Sequence, residues 1–247
     1  MKQKKLPAKL GKPTVFEAIF EVRGQPIAPL HDILPGVFFS PERPSLIERL
    51  PAAQIPDVIR NADPTLKYIP LIRISGDSYS LMIGKENVSI SCTTYAGWSK
   101  FKKHILEVFG QLEKKKLITK VDRYSLKYVN LLEGENVATL LSSVDLDLKI
   151  GSWKIKDQNI QLRAELIYEG FNNAIQIISS AAVQLSEKPK KGLVIDIDSI
   201  MDVNAIDYTQ FYNELGKRLD HIHHINKTLF FDCLTDKTIA ELEPVYE

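Results

Sequence analysis

Between Leu71 and Cys92 three short apolar runs follow one another with only turn-forming residues between them. Leu71-Ile72-Arg73-Ile74 leads through Ser75-Gly76-Asp77-Ser78 to Tyr79-Ser80-Leu81-Met82-Ile83-Gly84, and Asn87-Val88-Ser89-Ile90-Ser91-Cys92 then alternates polar and apolar residues. Strands this close in sequence can pair only antiparallel, because a parallel return needs a crossover of roughly a dozen residues or more. Rossmann and TIM-barrel rhythms are thereby excluded.

The apolar faces of such strands must be covered, and two segments supply the covers. After Gly97, Trp98, Phe101, Ile105, Leu106, Val108, Phe109 and Leu112 recur at helical spacing, which predicts an amphipathic helix of about 19 residues. Asp207 is placed to cap a second helix carrying Phe211, Leu215, Leu219, Ile222 and Ile225 and continuing toward Phe230. The expected fold class is α+β, antiparallel sheets packed by two long helices.

Other strands are read at Thr14–Arg23, stopped by Gly24, and at Arg123–Asn130, Ile160–Tyr168, Ala174–Gln184 and Gly192–Asp198. Gly170-Phe171-Asn172-Asn173 is assigned to a turn. Shorter strands are expected at Leu146–Ile150 and Trp153–Ile155, with short helices at Ala138–Ser142 and after Asp236. Residues 24–70 hold nine of the 13 prolines and read as a loop-heavy surface segment, with short helices around Pro44–Leu50 and Ile55–Ala62. The expected organisation is a flexible tail over 1–13, an N-terminal half over 14–135 and a C-terminal half over 136–247. Each half runs from strands to a long helix led by an aromatic, so a duplication is inferred from element order.

Lys and Arg total 32 against 31 Asp and Glu, a net charge of +1. A whole-molecule field for non-specific nucleic-acid binding is absent, leaving only local patches. Cys92 and Cys233 stand in no metal-binding spacing and fit a reducing cytoplasm. No apolar run reaches the ~18–20 residues of a membrane span. Walker A, Gly-x-Gly-x-x-Gly and Gly-x-Ser-x-Gly motifs are all missing.

The chemistry-bearing groups are few. Asp196 and Asp198 flank Ile197 on an apolar strand, so their carboxylates share one sheet face and have the spacing to hold Mg²⁺ with a third acid from Glu165, Asp202 or Glu17. The bland alternative is a charged strand edge that blocks aggregation. His221 and His224, three apart on the second helix, can share a metal, and Asp220 is spaced to orient His224, although the zincin pattern is absent. Otherwise they are a polar helix face. Arg123 and Lys127 line one strand face while Tyr124, Leu126 and Tyr128 line the other. That split weakens a stacking site for single-stranded nucleic acid and favours core tyrosines opposite a basic face. Glu17, Glu21 and Arg23 share a face of the first strand.

Several segments together resemble a sporadically distributed bacterial family of uncharacterised proteins of similar length. They are Pro13–Ile19, Trp98–Phe101, Arg123–Asn130, Ile195–Asp198 and the helix around His223 and His224 with Phe230, Phe231 and Thr235 after it. Leu126-Lys127-Tyr128 stands where that family has Leu-Arg-Tyr, and lysine is a poor substitute for a bidentate arginine. The resemblance carries no activity, but its scattered distribution is that of mobile-element, toxin–antitoxin and phage-defence genes. The reading that results is a cytoplasmic, non-enzymatic protein with a protein partner, no membrane association and no cofactor. The alternative is a Mg²⁺-dependent enzyme or small-ligand binder acting on a nucleotide or nucleic acid. A third reading places ligand sites at a subunit interface of a duplicated scaffold.

Overall fold

The computed structural model describes residues 5–38, 46–77, 79–183 and 189–246. In chain order the elements are β1 (Lys9–Leu10), β2 (Val15–Pro26), α1 (Leu30–Phe38), β3 (Leu46–Arg49), a 3-10 turn (Pro51–Gln54), α2 (Asp57–Ala62), β4 (Ile72–Ser75), β5 (Ser80–Ile83), β6 (Asn87–Cys92), α3 (Trp98–Lys114) and β7 (Ile118–Glu133). There follow α4 (Val137–Leu141), β8 (Lys149–Ile150), β9 (Trp153–Lys154), β10 (Gln161–Tyr168), β11 (Phe171–Val183), β12 (Lys190–Asp207), α5 (Tyr208–Asp232), α6 (Asp236–Glu241) and β13 (Pro244–Val245). The protein is α+β, with a large antiparallel sheet whose strand order is β10-β11-β12-β7-β2-β6-β5-β4-β3.

The chain divides into two compact units, each assembled from separated stretches. The first comprises the described parts of Met1–Phe16, Lys127–Ser199 and Ile222–Glu247, and the second comprises those of Glu17–Leu126 and Ile200–His221. The sequence reading instead divides the chain into consecutive halves; β7, β12 and α5 each contribute residues to both units, so continuous elements cross the division.

In the second unit, β2, β6, β5 and β4 present alternate apolar residues to one face. Ala18 pairs with Cys92, Phe20 with Ile90, Leu81 with Ile90 and Ile83 with Val88, and all are buried. This face is covered by α3, whose Phe101, Ile105, Val108, Phe109 and Leu112 recur every three or four residues and are buried. Phe20 meets Phe109 edge-on with ring centroids 5.3 Å apart. Tyr124 packs 5.5 Å from Phe211, and the buried Tyr208 hydroxyl donates to the Phe109 carbonyl at 2.9 Å. Asp207 caps α5 by accepting from the Gln210 amide at 3.1 Å.

In the first unit, Leu193, Ile195 and Ile197 of β12 are fully buried, as are Ile222 and Ile225 of α5. The Asn226 amide, 1% exposed, donates to the Ile197 carbonyl at 2.8 Å and lies 3.2 Å from Ser199 Oγ. That pair of contacts turns the odd-numbered face of β12 toward α5.

Several expectations need correction. Gly24 does not stop the first strand: β2 runs on to Pro26, because the missing Cβ leaves room for the Lys120 carbonyl. Residues 46–49 are a strand and not a helix, since pairing with β4 (Ile47 with Ile74) satisfies their backbone; Pro44 and Ser45 lie outside the described residues. Leu30–Phe38, within the segment expected to be loop-heavy, is a helix, α1, with Pro35 inside it. The β10–β11 turn is Glu169-Gly170, not 170–173: both have positive φ, 46° and 83°, as a two-residue type I′ hairpin requires, and Tyr168 pairs with Phe171. Gln184, the expected end of that second strand, lies outside the described residues. The expected tail carries β1, whose Lys9 and Leu10 pair with Val245 and Pro244.

Candidate functional site

The face of the second unit's sheet turned away from α3 is mostly polar, with Ile19 and Met82 standing among its charged and hydroxyl groups. Because β2 buries Ala18, Phe20 and Val22, the intervening Glu17, Glu21 and Arg23 share the opposite face. Glu17 accepts from the Ser91 hydroxyl of β6 at 2.5 Å. Glu21 is ion-paired with Arg23 and accepts from the Asn87 amide at 3.1 Å. The Arg23 guanidinium lies 4.4 Å from the centroid of the Tyr68 ring. Further along this face Arg73 reaches Glu48 at 3.3 Å, and Arg123 of β7 faces Asp202 of β12 at 3.9 Å. Arg123 emerges here because its neighbour Tyr124 is buried under Phe211.

Charges of both signs therefore stand together on this face, each arginine beside a carboxylate. Arg23 and Glu21 are half-buried, at 26% and 18% exposure, whereas Arg73, Glu48 and Asp202 are exposed. Such exposed or partly exposed pairs stabilise the fold by only about 0–1 kcal/mol each, but strand backbones hold them in place. The Glu17, Glu21 and Arg23 side of the cluster was legible from alternation. Tyr68 was not, because it comes from an irregular segment without periodicity.

The remaining sequence candidates lie elsewhere. In the first unit, Asp196 and Asp198 share the β12 face turned away from α5, opposite Ile197 and Ser199. Lys127 of β7 puts its ammonium 2.7 Å from one oxygen of the Asp196 carboxylate, so this group already has a cationic partner. His224 projects from the exposed side of α5, so it does not join Asp196 and Asp198. His221 belongs to the second unit and is likewise exposed. Asp220 does not serve to orient His224; its carboxylate takes the Trp98 indole at 3.1 Å and Lys102 at 2.7 Å, both from α3. The proposed third acids are engaged as well: Glu165 with Arg163 at 2.6 Å, Asp202 with Arg123, and Glu17 with Ser91. Among the described residues no group of three or more His, Cys, Asp or Glu is disposed to hold a metal ion.

Tyr124 and Tyr128 are buried, 3% and 5% exposed, with Arg123 and Lys127 on the opposite face. The Tyr128 hydroxyl meets His223 Nδ1 at 3.1 Å. Burial raises the Tyr124 phenol above its ordinary range, with the Arg218 guanidinium partly offsetting the shift. Neither Cys92 nor Cys233 is in a disulfide. Burial pushes the Cys233 thiol up to about 11, with the Asp232 carboxylate adding to it, and burial also raises Cys92. Neutral thiols of this kind are poor nucleophiles. Among the described residues no helix is long and apolar enough to cross a membrane. The chain matches no protein-family model, and no curated protein matches it.

Proposed function

We propose that this chain is a non-enzymatic, cytoplasmic protein-binding partner that docks another protein on the polar sheet face carrying Glu17, Arg23, Arg73 and Arg123. The observation behind this reading is the sign balance of that face, where Arg73 stands beside Glu48 and Arg123 beside Asp202. A nucleic acid gains little from such a surface, because its phosphates reward an excess of cations. A folded protein of mixed charge can match it group for group, and side chains already held by strands lose little freedom on binding. The biological setting, a mobile-element, toxin–antitoxin or phage-defence module, rests on the family resemblance alone.

The test is purification of the tagged full chain from its native host, beside an Arg73→Glu/Arg123→Glu variant with an unchanged melting curve. A stoichiometric protein that is retained by the wild type and lost from the variant supports the reading. Co-purified nucleotide or nucleic acid, or Mg²⁺-dependent retention lost in Asp196→Ala, overturns it.

A further inference from the structure

Strand β10 ends the large sheet, with β11 as its neighbour on one side. The Ser179 amide donates to the Ile160 carbonyl at 3.1 Å, so Ile160 faces β11. The Asn173 side chain reaches the Leu166 carbonyl from β11 as well. By the alternation of antiparallel strands, Leu162, Ala164, Leu166 and Tyr168 turn their backbone groups toward β11, and Gln161, Arg163, Glu165 and Ile167 turn theirs outward. These four side chains are all exposed, Ile167 at 83%. An outward row of N–H and C=O groups is a template for another strand.

We propose that β10 is a self-association edge, and that its occupant is β10 of a second copy of this chain, paired antiparallel about a two-fold axis at Ala164. In that register Arg163 stands opposite Glu165 of the second copy and Glu165 opposite its Arg163, each exchanging backbone hydrogen bonds, with Gln161 opposite Ile167. On the other face Leu162 meets Leu166 of the second copy, and the small Ala164 meets itself at the axis. The interface is isologous, as a two-fold requires.

Charge selects this register. Moving the axis to residue 163 places Arg163 against Arg163, and moving it to residue 165 places Glu165 against Glu165, both repulsive. Moving it by half a residue sets outward backbone groups against groups already committed to β11. The Arg163–Glu165 pair, 2.6 Å apart within one chain, therefore guards the edge against other strands while matching its own copy. One strand edge buries less surface than the roughly 1,200 Å² of a stable interface, so the dimer is a weak one, with a constant on the order of micromolar.

Sedimentation equilibrium of the full chain from about 5 to about 500 µM, a range bracketing such constants, tests this. The mass is expected to rise from 28.0 kDa toward twice that value. Arg163→Glu and Glu165→Arg should each weaken the dimer about tenfold, and the Arg163→Glu/Glu165→Arg double variant should restore it, with melting curves unchanged throughout. Hydrogen exchange on the wild type gives a readout free of substitution: the amides of Arg163 and Glu165 should gain protection as concentration rises. A monomer over the whole range, a dimer indifferent to both single variants, or a double variant that fails to recover overturns the proposal.

Discussion

Lys127 and Asp196 meet at 2.7 Å from neighbouring strands, the lysine one-third exposed and the aspartate only 16% exposed. The more buried member is the one that suffers from losing its partner. Lys127→Met is expected to destabilise the fold by about 2 kcal/mol, Asp196→Ala by about 1 kcal/mol, and the double variant by less than the sum. Urea denaturation of the four proteins measures the coupling. Mg²⁺ that stabilised the wild type but not Asp196→Ala would restore the metal reading of this pair.

The Cys233 thiol gives the stability a component that depends on alkaline pH. Its pKa is about 11 in the folded chain against 9.0 for an unperturbed thiol. Between those values the unfolded chain gives up the proton and the folded chain keeps it, so the unfolded state binds fewer protons and stability falls as pH rises. The component is fully present below about pH 9, and about 2 kcal/mol of it is lost by pH 11. Comparing urea midpoints at about pH 8 and about pH 10.5, the wild type should lose more than Cys233→Ala.

Two glycines mark close approaches with different consequences. A Cβ on Gly24 would overlap the Lys120 carbonyl oxygen, which belongs to a strand backbone and cannot withdraw. On Gly110 of α3 it would meet the Tyr212 hydroxyl, the far end of a side chain. Gly24→Ala is expected to cost about 3 kcal/mol. Gly110→Ala should cost under about 1 kcal/mol, because alanine's helix propensity offsets the displaced tyrosine. Thermal melts rank them.

Glu169 occupies the first central position of the β10–β11 turn with φ 46°, a conformation that asparagine adopts more readily than glutamate. Glu169→Asn, which creates an Asn-Gly turn, is expected to stabilise the protein by about 0.5–1 kcal/mol. A raised melting temperature with an unchanged spectrum checks it.

Helix α3, the β4–β5–β6 meander and the Asp207 cap were legible because each depends on residues near in sequence. A helix repeats its apolar side chains every three or four positions and a strand every two, whatever lies around it. The same alternation correctly separated Tyr124 and Tyr128 from Arg123 and Lys127, and Asp196 and Asp198 from Ile197. Residues 46–49 were misread because strand β3 depends on its partner β4 for its backbone hydrogen bonds. A nearby proline can open a short helix, but it carries no information about that partner.

What alternation leaves open is which face meets which neighbour. Glu17 and Ser91 are 74 residues apart, and nothing local in either segment announces their hydrogen bond. Lys127 with Asp196, Asp220 with Trp98 and Lys102, and Arg23 with Tyr68 are likewise products of strand order and helix placement. Sequence by itself determined the long helices, the central strands with their buried faces and the residues available for chemistry, because those follow from the geometry of a single chain segment. Tertiary structure decided which charges are neutralised, which histidines stay outside and which edge is open, because an ion pair or an edge exists only once distant segments are brought within a few ångströms of one another.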